Sequence, residues 1–288
     1  MKDEKLLRFK RLTDSLLESY IGEVGGILSE AMAYSLFAGG KRLRAAILLG
    51  FCESYGGDVT AALPISAALE CIHTFSLIHD DLPCMDDDDF RRGKPSCHKA
   101  FSESTAVLAG DALIIAAFEL VAKSGLTPDK SLRIIGEFAQ FSGRNGMLLG
   151  QQQDIIFEKT PAIGEDEMLK MFALKTCGLF KAASRAGVIV AGGSEADLEN
   201  ATNFAENLGL AFQIIDDILD VIGNDKETGK PIGSDEKSHK TTAVKLFGLE
   251  GAKEKANEYT KKALSSAERV PGDGFISKLT AKLLNREM

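Results

Sequence analysis

Asp80, Asp81 and Asp86 fall in one short segment, Asp80-Asp81-Leu82-Pro83-Cys84-Met85-Asp86, and Asp216, Asp217 and Asp220 fall in a second. Each segment follows an apolar run with helical spacing. Carboxylates crowded in this way raise one another's pKa values unless a cation compensates. An all-oxygen donor set suits a hard cation, and Mg²⁺ is commonly held by one or two carboxylates together with substrate phosphates. The two clusters therefore read as two walls of one magnesium diphosphate site.

Spacing sharpens this. From Leu208 to Ile222 the strongly polar residues are Gln213, Asp216, Asp217 and Asp220, three and four apart. On a helix with about 3.6 residues per turn they form one narrow stripe. An ordinary surface helix would show a wider face of mixed sign, and that remains the alternative for this segment alone. The first motif closes a run in which Glu70, His73, Leu77 and Asp80 share a face, and Pro83 then stops the helix. Alone it could equally be an acidic loop or a calcium site. Arg91-Arg92-Gly93-Lys94 follows directly, and guanidinium groups bind phosphate oxygens bidentately. Gly39-Gly40-Lys41-Arg42-Leu43-Arg44 adds glycines and basic residues at an expected helix start, where backbone can approach an anion closely. This block lacks the pattern of a nucleotide-binding P-loop, and by itself it could be a solvated helix start.

The elements that must position these residues are helical. Apolar residues recur at three- and four-residue spacing over Leu6 to Tyr20, Ala31 to Phe37, Arg44 to Tyr55, Thr60 to Ile78, Ser104 to Lys123, Lys130 to Leu149, Asp166 to Val190, Glu195 to Ile222 and Gly251 to Arg269. No segment alternates with period two, so no sheet is expected and the fold class is all-α, a single domain over residues 1–288. The polar stretch from Gly223 to Lys240 is a candidate lid. A net charge of −8 argues against a nucleic-acid partner. Five cysteines without a CxxC pair fit a reducing cytoplasm rather than a disulfide framework or zinc site. No signal-peptide pattern follows Met1, and no uninterrupted apolar stretch approaches the ~18 residues that span a bilayer, so stable membrane insertion is not expected.

Taken together, the blocks resemble the trans-isoprenyl diphosphate synthase family, which includes farnesyl and geranylgeranyl diphosphate synthases. The resemblance runs from about Gly39 to Gly248. It is carried by Gly39 to Arg44, His73, Asp80 to Arg92, Gly150-Gln151-Gln152-Gln153-Asp154, Lys175-Thr176 and Phe212 to Asp220. It implies a large helical bundle with a central prenyl-chain cavity, and a head-to-tail condensation of an allylic diphosphate with isopentenyl diphosphate that releases pyrophosphate. By the same resemblance, Asp80, Asp81, Asp86, Asp216, Asp217 and Asp220 serve magnesium, three ions per site, which neutralise charge on the leaving group. Arg91, Lys175, Thr176, Gln213, Lys230 and Lys240 serve the allylic diphosphate, while Lys41, Arg44, His73 and Arg92 hold isopentenyl diphosphate without metal. Thr176, Gln213 and the carbonyl of Lys175 stabilise the carbocation, and relatives are homodimers.

In this family the residues just before the first Asp motif form the floor of the chain pocket. Here these are Phe75 and Ser76, and an aromatic at the Phe75 position resembles bacterial-type farnesyl diphosphate synthases. A fifteen-carbon product is expected, with a twenty-carbon product as the alternative. Where many relatives have Tyr-Pro shortly after the lysine matching Lys240, this chain has Thr241-Thr242-Ala243-Val244. A terpene cyclase would alter the second Asp motif. A non-catalytic subunit that modulates another prenyl synthase would lose one or both motifs, and both are intact here. His79, His98 and His239 are read as structural or unassigned, and Cys84 as non-catalytic.

Overall fold

The computed structural model describes residues 4–160, 162–222 and 242–284. Its helices are α1 (Glu4–Gly22), α2 (Ile27–Leu36), α3 (Leu43–Ser54), α4 (Val59–Asp80), α5 (Cys97–Ala100), α6 (Glu103–Ala122) and α7 (Pro128–Ser142). They continue as α8 (Met147–Phe157), α9 (Glu165–Lys175), α10 (Cys177–Ala191), α11 (Glu195–Ile222), α12 (Ala243–Glu268) and α13 (Phe275–Leu284). The architecture is all-α, as expected. Local chemistry sets the starts. Asp58 caps α4 by accepting from Thr60 N, Ser102 caps α6, and Thr127 caps α7 with Pro128 in its first turn. At α11, Asp197 accepts from Ser194 N at 2.8 Å while Ser194 Oγ accepts from Asp197 N at 3.3 Å, a reciprocal cap.

Four expectations change. The run from Lys130 to Leu149 is two helices, α7 and α8, parted between Gly143 and Gly146. The run from Asp166 to Val190 is also two, α9 and α10, and the break falls at Thr176. A two-strand hairpin, β1 (Phe90–Arg91) and β2 (Lys94–Pro95), stands where no sheet was expected. Its turn residues Arg92 and Gly93 have φ of 56° and 77°, the signature of a tight type I′ turn. Strands of two residues are too short to show alternation in sequence. Fourth, α4 and α6 have 22 and 20 residues with apolar windows of mean hydropathy 1.5 and 1.9, long and apolar enough to span a bilayer by length and composition. The α4 window is 67% buried within the protein, as a core helix requires, and the α6 window is 44% buried.

The core is one cluster to which nearly every helix contributes. Helix α11 packs along α12, α4 along α6, and α10 on α3 and α11. The ends of α4 and α11 that carry the Asp motifs are thereby joined through α3 and α10 to the basic turn before α3. Residues 223–241, with Lys230, His239, Lys240 and the expected lid, lie outside the described residues.

Candidate active site

The basic side is built on the turn before α3. Arg42 caps the helix at φ 52°, and its guanidinium is fully engaged. Nε donates to Asp14 at 2.7 Å, Nη1 to Glu70 at 3.2 Å and Nη2 to the Leu36 carbonyl at 2.6 Å. Glu70 also accepts Ala45 N at 3.1 Å, which ties the start of α3 to the middle of α4. Arg42 is thus a strut, which sequence could not separate from its basic neighbours Lys41 and Arg44. Arg44 donates Nη1 to His73 Nε2 at 3.3 Å, and its guanidinium lies 4.9 Å from the centre of the Phe180 ring. Its Nε is buried with no hydrogen-bond partner. Arg92, on the hairpin, reaches back to donate Nη1 to the Gly39 carbonyl at 2.5 Å. A Cβ at Gly40 would sit 2.9 Å from that Nη1, so only glycine leaves room for the guanidinium.

Arg44, His73 and Arg92 therefore converge, with more donors than acceptors. Burial, then Arg44, Arg92, Arg42 and Arg91, push the His73 imidazole well below its usual pKa, so it is neutral. Burial and Arg92 bring Arg44 down to about 10, and burial and Arg42 also lower Arg92. Crowded, desolvated cations of this kind form an anion site. Lys41 is exposed beside it.

On the acidic side, Asp80 ends α4 and Asp86 returns to it, with Asp86 N donating to the Asp80 carbonyl at 2.9 Å. The backbone turn thus brings the first and last residues of the motif together. Asp81 faces inward, is 2% exposed, and binds Arg91 through Nε, at 2.9 and 3.2 Å, and through Nη2. Arg91 Nη2 also donates to Asp88 at 3.3 Å. In the second motif, Asp216 and Asp220 are half-buried and Asp217 is buried. Asp217 accepts Gln213 Nε2 at 2.9 Å and the backbone N of Ala243 at 2.7 Å, fixing the start of α12 to α11. Asp216 lies close enough to Arg44 to favour its charge, and Asp80 does the same for Arg91. The two acidic walls therefore border one basic cluster.

The break at Thr176 connects to the second Asp motif and to α8. Thr176 Oγ1 donates to Gln213 Oε1 at 2.8 Å, so Thr176, Gln213 and Asp217 form one hydrogen-bonded chain. Lys175 pairs with the buried carboxylate of Asp154 on α8. A Cβ at Gly150 would lie 2.7 Å from Lys175 Cα, so glycine lets α8 press on the break. Asp154 was quoted in the sequence without a role, and its partner in space supplies one.

The remaining expected residues lie elsewhere. Phe75 is 4% exposed and Ser76 donates its hydroxyl to the His73 carbonyl at 2.9 Å. Cys84 is exposed, and buried His98 bonds Ser96 Oγ at 3.1 Å.

Among the described residues no three potential ligands converge as a ready-made metal cage. The set expected from sequence, Asp80, Asp81, Asp86, Asp216, Asp217 and Asp220, offers only carboxylate oxygens from the two motifs, a donor set that suits Mg²⁺ shared with phosphate oxygens and water.

Known proteins are similar to this chain in sequence and fold. The polyprenyl synthetase profile matches residues 26–273. Farnesyl diphosphate synthase of Geobacillus stearothermophilus is 42% identical over 271 residues, 92% of this chain and 91% of that protein. Chloroplastic geranylgeranyl pyrophosphate synthase of Capsicum annuum is 41% identical over 283 residues, 98% of this chain and 74% of that protein. The crystal structure of geranylgeranyl pyrophosphate synthetase from Pyrococcus horikoshii matches with a TM-score of 0.91 over 99% of both chains, at 31% identity. With two Asp motifs set around a basic pocket on a shared fold, this chain belongs to the polyprenyl synthetase family, as a trans-prenyl diphosphate synthase.

Proposed function

We propose that this chain condenses isopentenyl diphosphate with dimethylallyl and then geranyl diphosphate, head to tail, to give (2E,6E)-farnesyl diphosphate. The family in general is Mg²⁺-dependent. Asp80 and Asp86 on one wall and Asp216 on the other would hold three ions, with Asp81, Asp217 and Asp220 helping directly or through bound waters, while Asp81 and Asp217 also anchor the walls. When bound, the metal neutralises charge on the departing diphosphate. Lys175 and Arg91 hold that diphosphate, and Lys230 and Lys240 complete the set. Lys41, Arg44, His73 and Arg92 hold isopentenyl diphosphate, whose charge relieves their mutual repulsion. Ionisation leaves an allylic cation next to the α9 C-terminus, where helix carbonyls carry partial negative charge. Gln213 and Thr176 add oriented dipoles there, locked by Asp217. Released pyrophosphate takes the proton lost in the elimination.

The convergence of Arg44, His73 and Arg92 beside both Asp motifs carries the reaction type. Phe75, buried five residues before Asp80, supports the fifteen-carbon product. The near-equal identity to the Capsicum enzyme supports twenty carbons as the second reading. The deciding assay incubates purified protein with Mg²⁺, labelled isopentenyl diphosphate and one allylic primer (dimethylallyl, geranyl or farnesyl diphosphate) per tube. Farnesol as end point, with farnesyl diphosphate refused as primer, is the expected outcome. Geranylgeraniol would replace the product assignment, and no elongation would return the chain to a non-catalytic modulating role.

The same reading includes a homodimer, supported by α6, which exposes Leu108 and Ile115 at 57% and 67% on one face. Large apolar side chains exposed on one helix face fit an interface, and a second copy would cover them isologously. Leu108→Asp with Ile115→Asp should convert the sedimenting species to monomer. Five unpaired cysteines suit a cytoplasmic enzyme.

A further inference from the structure

Phe75 and His79 lie one turn apart on α4, and their rings meet edge to face with centroids 5.8 Å apart at 71°. Beyond Phe75 the imidazole reaches α6, where its Nε2 lies 3.2 Å from the Val107 carbonyl oxygen and donates to it. The approach depends on glycine at position 110, because a Cβ there would overlap the imidazole. Asp111 Oδ1 stands 3.9 Å from the same nitrogen. His79 is thus clamped between two helices, and one wall of the space around the Phe75 ring is the clamped imidazole.

We infer that His79 is a specificity-determining positioning residue: held on α6 by the Val107 carbonyl and the gap at Gly110, it fixes the Phe75 ring and thereby the depth of the prenyl pocket. The inference rests on Phe75 being the floor of that pocket. The His79 side chain is 27% exposed, but its ring packs edge to face on Phe75, and a ring in a packed interior stays in place only while such neighbours fill the space beside it. Removing the imidazole opens a side-chain-sized space toward α6 into which the ring can swing. The growing chain then gains depth, although His79 itself touches no substrate. A histidine that served only stability would alter yield and melting temperature and leave chain length alone.

The test measures product length at matched turnover for the parent, Phe75→Ala, His79→Ala, His79→Gln and the Phe75→Ala/His79→Ala double variant. In His79→Ala the ratio of the next longer product to the parent product should rise about tenfold, the scale at which one small apolar contact discriminates in a pocket. His79→Gln keeps an N–H donor without the ring, should also lengthen the product, and decides the matter if His79→Ala fails to fold. The double variant should match Phe75→Ala alone. An unchanged ratio in both His79 variants, with Phe75→Ala lengthening, overturns the inference and leaves the floor assignment standing. An unchanged ratio in Phe75→Ala removes the floor and the inference together. A double variant that makes longer chains than Phe75→Ala also overturns it, since His79 would then line the pocket directly.

Discussion

The acidic and basic halves of this site handle charge in opposite ways. In each Asp motif one carboxylate is bound down by the protein itself: Asp81 by the Arg91 guanidinium, Asp217 by the Gln213 amide and the Ala243 backbone N–H. Their neighbours Asp80 and Asp216 remain half-exposed at the ends of the same helices. In the basic half, Asp14 and Glu70 hydrogen-bond to Arg42 and not to the cations deeper in the pocket. Arg44 keeps an unpartnered Nε, and His73 is forced neutral by the arginines around it. Each acidic wall therefore has a buried foot and a half-exposed edge, the working edge of the proposed reaction, whereas the basic pocket crowds cations whose repulsion a bound diphosphate would relieve. The paired aspartates of each motif are unequally buried, Asp81 and Asp217 inside and Asp80 and Asp216 at the edge.

That asymmetry predicts an order of effects. Loss of a working-edge carboxylate, in Asp80→Ala or Asp216→Ala, should lower kcat by about 10³-fold, the scale of removing a group aimed at charge in the transition state. Far-UV circular dichroism should stay unchanged in both, and turnover near the parent level in either variant would refute the metal assignment. Loss of a foot should instead register as stability. Asp81→Asn leaves Arg91 without its charged partner and should cost about 3–5 kcal/mol in urea unfolding. Asp217→Asn disturbs neutral donors and should cost about 1–3 kcal/mol. Equal losses would show that the charge on Arg91 does not matter and would remove the distinction between the two feet.

The basic half should respond in the reverse sense. Arg44→Met removes a crowded cation, so stability should change by less than about 1 kcal/mol, within the range of ordinary substitutions. The KM for isopentenyl diphosphate should rise about 10–100-fold, the worth of a charge-assisted hydrogen bond. A large loss of stability without a change in KM would make Arg44 a second strut like Arg42.

Sequence spacing revealed the halves but not their internal division. Helices α4 and α11 were readable because long apolar periods survive in single sequences, and the span of α11 is the one the spacing predicts. Which aspartate is a foot depends on donors distant in sequence, such as Arg91 for Asp81 and Ala243 for Asp217. Arg42 and Arg44 are two residues apart and look alike in a basic run, yet Asp14 and Glu70 engage only the first through hydrogen bonds. The break at Thr176 was hidden for another reason. Apolar spacing runs through it, and the helix ends because Gly150 brings α8 against the Lys175 backbone. The hairpin that presents Arg91 and Arg92 was invisible because two-residue strands have no period.

The smallest expected effect probes stored repulsion directly, through His73. Its folded-state pKa lies well below the ordinary value, owing to burial and the arginines Arg44, Arg92, Arg42 and Arg91. In the unfolded chain it titrates near 6.5. Below that pH the unfolded state binds the proton that the folded state refuses, so stability falls as pH drops through about 6.5, by about 1.4 kcal/mol per pH unit, and is unaffected by this group above it. His73→Gln should remove that component, seen as the difference between parent and variant urea midpoints from pH 7.5 to pH 5. Saturating inorganic diphosphate should flatten the parent's slope, because an anion beside the arginines offsets the repulsion that keeps the imidazole neutral. A slope identical in parent and variant would mean that His73 accepts its proton freely, and the contrast between a compensated acidic half and a strained basic half would fail at its most sensitive point.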